Sequence, residues 1–326
     1  MTSARRELAR WELLRALGAV AGDPAGASAV CGALGLTAPG NAEHTEVFLL
    51  NCPPYAAVYL GADGALGGDA ADRVAGFWRA IGVTPPAEPD HLAALLSLYA
   101  GLGEACSGAR TEAVRRALTR TRHVLFWEHL WSWVPAYLAA VATFPALAAW
   151  AALTRRAVLA ERAVPAERAE RAGHPSAAGA PGVRLPLALR AAPAPLSPGL
   201  APGDLPAALT TPVRSGLILT RRALAGGAEA AGAGHRIGER RFTLRAMLDQ
   251  EPAGTLRWLG GEAARWADTH AAPARNRAAG PGAAGPGSDA VQDWWAERAR
   301  RTEAVLRAAA AAAIDGLVSL GRPSAR

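Results

Sequence analysis

The chain has 326 residues, 51% of them hydrophobic, and this combination excludes an intrinsically disordered protein. It contains no lysine, so all 35 basic residues are arginines, and the formal net charge is +7. Residues 1–150 carry 11 arginines against 13 acidic residues, whereas residues 151–326 carry 24 against 15. The basic character, which would suit nucleic acid or an anionic surface, therefore belongs to the C-terminal half alone.

The three cysteines are widely spaced, and no pair has the CxxC spacing. This excludes a disulfide framework and a zinc knuckle, and it fits a reducing cytoplasm. The pair Arg5-Arg6 invites comparison with a twin-arginine export signal, but the ELARWELLRAL that follows is interrupted by charged residues. The spacing of its apolar residues predicts an amphipathic helix over residues 3–21 and not a signal peptide.

Helical periodicity continues along the chain, and no alternating strand pattern occurs. We predict a short helix near residues 26–35 and another over residues 45–60 that is interrupted at Pro53-Pro54. A further helix over residues 70–81 would be capped by Asp69 and ended by Gly82.

The motif EPDHL marks the start of the next predicted helix, with Asp90 or Glu88 as its cap. Thr111 marks the start of the helix after that. Residues 130–154 contain no charged residue and are long enough to cross a bilayer. Because Pro145 interrupts them and alanine dominates, we predict two buried helices meeting near that proline and no membrane span.

The second half changes in composition. We predict a Pro/Ala/Gly-rich linker over residues 163–205 and a smaller, basic helical unit over residues 206–326. A Gly/Pro-rich break near residues 272–288 precedes the last helix, which we predict over about 289–320.

The acid-Pro-acid-His turn admits three interpretations. Its side chains can simply cap a helix, with Asp90 accepting backbone N–H bonds. Glu88 and His91 also have the ExxH spacing of carboxylate-bridged metal sites, but no second ExxH supplies the matching ligands. The third interpretation makes the turn one wall of a ligand groove whose carboxylates attract a basic peptide.

The aromatic-proline segment PPYAAVYL places Tyr55 and Tyr59 four residues apart, which predicts one helical face. Tyrosines at this spacing serve either a core or a binding surface. The pair Pro53-Pro54 removes two backbone donors and stiffens the chain, which favours a shaped, exposed edge. No nucleophile–base pair, metal-ligand set or phosphate-binding loop occurs in the sequence, so we predict no enzyme, no cofactor and no metal.

Several motifs occur in a fixed order: PPYAAVYL (53–60), LGGD (66–69), FWRAIG (77–82), EPDHL (88–92) and HLWSWVP (129–135). In this order they resemble the TorD/DmsD/NarJ family of cytoplasmic chaperones for complex iron–sulfur molybdoenzymes. The resemblance covers about residues 1–160. It departs from the family in that Tyr55 stands where some relatives carry tryptophan, and in the long basic extension.

The resemblance implies an all-α helical bundle of the TorD-like chaperone type over residues 1–162. It also implies a partner, namely an apo-molybdoenzyme with its twin-arginine leader peptide, held in the cytoplasm until the cofactor is inserted. On the family pattern, the binding region comprises Pro53, Pro54, Tyr55, Tyr59, Glu88, Asp90 and His91, with Trp78 and Trp127 as neighbours. Guanine-nucleotide binding, suggested for some relatives, has no support in these residues.

A maturation chaperone that works by binding is thus the function we predict. The alternative is a nucleic-acid-binding regulator acting through the basic C-terminal half. Its DNA affinity would fall steeply with salt and would require residues 206–326.

Overall fold

The computed structural model describes residues 3–171, 185–234, 238–277 and 289–320. Every regular element within these ranges is a helix, and the one bridge between extended residues is isolated. The predicted all-α class is therefore confirmed.

The described contacts divide the chain into two compact units. The first comprises Met1–Gly61, Ala65–Ala191 and Gly282–Val291, and the second comprises Ala62–Gly64, Ala192–Pro281 and Gln292–Arg326. The predicted boundaries at 162/163 and 205/206 stay predictions. Much of the Gly/Pro-rich break predicted near 272–288 lies outside the described residues.

The helices of the first unit are α1 (Ser3–Val20), α2 (Pro24–Ala33), α3 (Asn41–His44), the π-helix π1 (Thr45–Asn51), α4 (Ala56–Leu60), α5 (Gly68–Ala80), α6 (Leu92–Ser107), α7 (Glu112–Val124), the π-helix π2 (Leu125–Trp131), α8 (Val134–Val141), α9 (Pro145–Arg171) and α10 (Leu187–Arg190). The second unit contains a 3₁₀ turn (Pro202–Asp204), α11 (Leu205–Leu209), α12 (Pro212–Ser215), α13 (Arg221–Ala231), α14 (Arg240–Gln250), α15 (Pro252–Arg277) and α16 (Asp289–Leu320), whose first three residues are grouped with the first unit.

Helix α1 forms because its apolar residues recur at helical spacing, and Trp11, Leu14 and Leu17 are accordingly buried. It packs closely on α6, since a Cβ added at Gly103 would lie 2.6 Å from the ring of Trp11. The indole of Trp150 on α9 donates to the carbonyl of Leu17 at 3.0 Å. These contacts join α1, α6 and α9 into the core of the first unit.

The uncharged stretch forms two buried helices, as predicted, because α8 ends at Val141 and α9 begins at Pro145. Among the described residues, no helix is both long enough and apolar enough to span a bilayer.

Helix α5 ends as predicted, with Gly82 in the left-handed conformation at φ +77°. The predicted cap at Asp69 is wrong. The N-cap is Gly67, and α5 begins at Gly68, so Asp69 already lies within the first turn. There its charge still complements the helix dipole, but its side chain makes no capping bond.

A buried polar cluster stabilises the first unit below its aromatic core. Glu161 on α9 is ion-paired with Arg10 at 2.7 Å and accepts a hydrogen bond from Tyr99 at 3.0 Å. Burial and the Glu161 carboxylate raise the pKa of the Tyr99 hydroxyl well above its usual range, so it remains a proton donor to Glu161 at any physiological pH.

The second unit is organised around the short helix α12. Gly216 follows it at φ +77°, and a Cβ there would overlap the backbone nitrogen of Ala299 on α16. The hydroxyl of Thr302 donates to the carbonyl of Ser215 at 2.7 Å, and the ring of His270 contacts the carbonyl of Gly216 at 3.0 Å. Glycine at 216 is therefore what permits α16 to pack against this turn.

Candidate functional site

The acidic turn and the aromatic-proline segment lie side by side, although more than 30 residues separate them. The amide of Ala56 donates to the carbonyl of Asp90 at 3.1 Å, and the amide of Leu92 donates to the carbonyl of Pro54 at 2.8 Å. Tyr55 and His91 form an isolated antiparallel bridge between these bonds. The two segments thus form one backbone-linked structure at the starts of α4 and α6.

Asp90 is buried and caps a helix other than the one predicted. Its Oδ2 accepts a hydrogen bond from the amide of Ala57, at 2.9 Å, in the first turn of α4. Burial raises the pKa of its carboxyl, while the bond from Ala57 favours the ionised form. The prediction that Asp90 or Glu88 caps the following helix is wrong, because the N-cap of α6 is His91.

His91 caps α6 through its imidazole ring. The Nδ1 atom accepts a hydrogen bond from the amide of Ala93 at 3.1 Å, which requires that nitrogen to be unprotonated. Burial lowers the pKa of His91, whereas the nearby Glu88 and Asp90 raise it. The neutral ring is therefore part of the folded structure at neutral pH.

Tyr55 and Glu88 form the outer part of the turn. The Tyr55 hydroxyl donates to Glu88 Oε1 at 2.8 Å, and its ring meets that of His91 edge-on, with centroids 4.8 Å apart. Burial, together with the Glu88 carboxylate, raises the pKa of Tyr55 to about 12. Glu88 is exposed to solvent, Tyr55 is half-buried, and Asp90 lies directly behind them. We call Tyr55, Glu88, Asp90 and His91 the acidic cluster.

Trp78 and the two prolines position the acidic cluster from its flanks. The indole of Trp78 is buried and donates to the carbonyl of Pro89 at 3.1 Å, which ties α5 to the turn. Pro54 is buried and Pro53 is partly exposed beside it. On the next residue of α5, the ring of Phe77 lies 4.9 Å from that of His129 on π2.

Tyr59 lies in the core and does not share a surface with Tyr55. Its ring stacks on Trp133 at 5.3 Å and contacts Tyr137 edge-on, and the residue is only 1% exposed. The helical spacing that predicted one face for the two tyrosines does not apply, because Tyr55 is an extended residue that precedes α4. Trp127 lies in π2 and is partly exposed.

The sequence reasoning did not anticipate the π-helices or the role of Glu128. Segment π1 immediately precedes Cys52 and the two prolines, and π2 carries Glu128, whose Oε2 accepts a hydrogen bond from the amide of Leu187 at 2.6 Å. A π-helix inserts one residue per turn and often occurs at functional sites. No local residue pattern signals it, so only the folded chain reveals it.

Metal chemistry has no visible basis in the described ranges, where no group of three or more His, Cys, Asp or Glu side chains is arranged to hold an ion. Cys31, Cys52 and Cys106 are all buried, free thiols. The chemistry that the acidic cluster can perform is recognition. It offers one exposed carboxylate, one aromatic edge and a rigid backbone frame.

The histidines of this region give the first unit a defined pH dependence. Burial, with a smaller contribution from Arg73, lowers the pKa of His129 to about 4, against 6.5 in an unfolded chain. A lowered pKa means that stability is complete above pH 6.5 and is lost progressively as the pH falls toward 4. We expect a loss of about 2 kcal/mol over that range, less than the full shift allows because the ring is partly exposed.

Denaturant unfolding of the wild type and of His129→Gln at several pH values measures this contribution. The variant should show a shallower loss between pH 6.5 and 4. Parallel pH profiles for the two proteins would show that His129 does not titrate in this way.

A helical bundle that holds an acidic, aromatic turn on a rigid frame, without a metal or nucleophile set in its described part, defines a binding protein. The model of the nitrate reductase delta subunit family matches residues 40–139, which include the whole acidic cluster. Over these residues the chain belongs to this family of NarJ/TorD-type chaperones, which act in the maturation of molybdoenzymes. No curated protein and no solved structure matches the chain.

Proposed function

We propose that the protein is a cytoplasmic maturation chaperone whose first unit binds the twin-arginine leader of an apo-molybdoenzyme before cofactor insertion and export. The observation that carries this proposal is the exposed carboxylate of Glu88, held by the Tyr55 hydroxyl within the region that matches the chaperone family. The protein acts by binding and not by catalysis.

The chemistry of the partner matches that of the acidic cluster. A twin-arginine leader brings two guanidinium groups followed by an apolar stretch. A carboxylate accepts charge-assisted, bidentate hydrogen bonds from a guanidinium, and an aromatic edge packs on apolar or planar groups. Residues 1–150 carry two more acidic than basic residues, so long-range attraction favours a basic peptide there.

The members of the acidic cluster have different roles in this proposal. Glu88 and Tyr55 contact the leader, since they form the part that reaches solvent. Asp90 and His91 hold the frame, because both are buried and both cap helices. Trp78 positions the turn through Pro89.

Replacing Glu88 with glutamine tests the contact with arginine. The change removes one exposed charge and keeps the shape of the side chain. We expect binding of a fluorescent peptide with two adjacent arginines and an apolar stretch to weaken about fivefold, the effect of losing one partly solvated charge-assisted bond. Fluorescence anisotropy at low salt measures the dissociation constants.

Two controls separate recognition from general charge. Glu12→Gln removes an exposed acid from α1 of the same unit and should leave affinity unchanged. The same peptide with both arginines replaced by glutamine should bind wild type and Glu88→Gln equally. Equal affinity of Glu88→Gln and wild type for the arginine peptide would remove Glu88 from the binding site.

A further inference from the structure

Helix α7 is turned so that it buries an arginine and exposes its valines. Arg122 is only 7% exposed and lies over the rings of Trp11 and Tyr99, at 5.0 and 5.5 Å from their centroids. Val114 and Val124 are 49% and 42% exposed. A helix stabilised only by packing inside its own unit would place these residues the other way round.

The exposed apolar residues form a continuous stripe along α7. Ala113, Ala117 and Val124 are spaced four and seven residues apart, which places them on one helical face, and all three are exposed. The opposite face is fixed against α6, because Cys106 Sγ lies 3.2 Å from Thr119 Oγ1. The stripe, Ala113, Ala117 and Val124 with Val114 at its edge, therefore faces solvent.

Basic residues are concentrated around this stripe. Five of the 11 arginines in residues 1–150 lie within residues 110–122, together with a single acid, Glu112. Arg115 and Arg116 are both exposed and pair with that acid at 2.8 and 3.1 Å. The rest of residues 1–150 has six arginines against 12 acids, so α7 is a local basic surface on an otherwise acidic segment.

We propose that α7 docks the protein onto an anionic membrane surface, with the stripe at the headgroup level and the arginines on lipid phosphates. Arginines that flank an exposed apolar stripe are the pattern of helices that lie in a membrane interface. A second copy of α7 is a poor occupant, because it would bring like charges together. Nucleic acid would use the arginines but would leave the valines exposed.

The shape of the surface favours a membrane over an acidic protein. The outward side of α7 is one convex helix of 13 residues, about 20 Å long, and not a groove. A flat surface contacts such a ridge along its whole length, whereas a peptide would be held from one side only. This role lies beyond leader binding and does not depend on it.

Vesicle sedimentation tests the proposal with the full chain. We expect the wild type to partition onto vesicles of 30% phosphatidylglycerol in phosphatidylcholine and to be released by high salt. Arg115→Gln combined with Arg116→Gln should weaken the partition coefficient about 30-fold, since each arginine near an anionic surface contributes about 1 kcal/mol. Val114→Ser should weaken it about threefold at unchanged charge.

The chain offers a matched control. Arg300 and Arg301 on α16 pair with Glu297 in the same i,i+3 and i,i+4 arrangement, at 3.3 and 2.8 Å. The double variant Arg300→Gln, Arg301→Gln therefore makes the same change in net charge and in ion pairs, and should bind within twofold of wild type. Equal weakening by both double variants would overturn the proposal, because net charge alone would then explain binding.

Two further outcomes would also overturn it. Failure of the wild type to sediment with these vesicles would exclude a lipid surface, and binding of poly-glutamate that depends on Arg115 and Arg116 would then assign α7 to an acidic protein. Tighter binding to a DNA duplex than to vesicles, again dependent on these arginines, would assign it to nucleic acid.

Discussion

We expect Asp90→Ala to lower the free energy of unfolding of the first unit by about 2 kcal/mol. The substitution removes the acceptor for the amide of Ala57 and leaves that donor buried without its partner, which is the costly way to lose a hydrogen bond. The loss of an N-cap side chain costs about 1 kcal/mol in addition. The desolvation that raises the pKa of Asp90 offsets part of both effects, because the variant no longer buries a charge.

The isosteric Asp90→Asn variant separates the cap from the charge. Its amide oxygen can still accept from Ala57, so its stability at pH 7 should lie within about 1 kcal/mol of wild type. Urea unfolding followed by tryptophan fluorescence gives both values. If Ala and Asn at position 90 were equally destabilising, the hydrogen bond to α4 would not be the source of the effect.

This separation also bears on leader binding. A double replacement of Asp90 and His91 by alanine removes the caps of α4 and α6 together. Its effect on leader affinity would therefore mix damage to the frame with loss of contact. Asp90→Asn and Glu88→Gln each remove one charge while they keep the frame, so their affinities report recognition alone.

The largest loss of stability is expected from Glu161→Gln, about 3 kcal/mol. The Glu161 carboxylate is almost completely buried between Arg10 and the hydroxyl of Tyr99. Removing its charge leaves the Arg10 guanidinium without its counterion in a poorly solvated position, and breaking one side of a buried ion pair is strongly destabilising. Thermal and urea unfolding of the variant measure the change.

The ion pair between Arg15 and Glu104 provides the comparison within the same unit. It joins α1 to α6 with two short hydrogen bonds, but both side chains are more than one-third exposed. Solvent screens such a pair, so Glu104→Gln should change the stability far less than Glu161→Gln. Equal losses in the two variants would contradict the assignment of Glu161 to a buried, load-sharing cluster.

Local sequence patterns predicted much of the fold because their causes are local. Thr111 was predicted to start a helix, and its hydroxyl oxygen accepts from the amide of Val114 three residues later. Gly82 was predicted to end α5, and it does so through the positive φ that glycine adopts without strain. Pro145 separates α8 from α9 because its ring cannot continue the preceding helix.

The candidate site was predictable only in part. The order of the short motifs indicated that PPYAAVYL and EPDHL belong to one region, and they are in contact through Tyr55 and His91. The sequence could not assign the caps correctly. Asp90 reaches back to Ala57 across 33 residues, and that contact exists only after the two segments have paired.

By itself the sequence determined an all-helical chain, most helix ends and the family of its first unit, because periodicity, caps and motif order depend on neighbouring residues. Tertiary packing alone decided that Tyr59 is buried against Trp133 while Tyr55 remains at the surface, and that α7 turns its valines outward. The physical reason is that helical spacing states which residues share a face, whereas only the surrounding elements decide which face meets water.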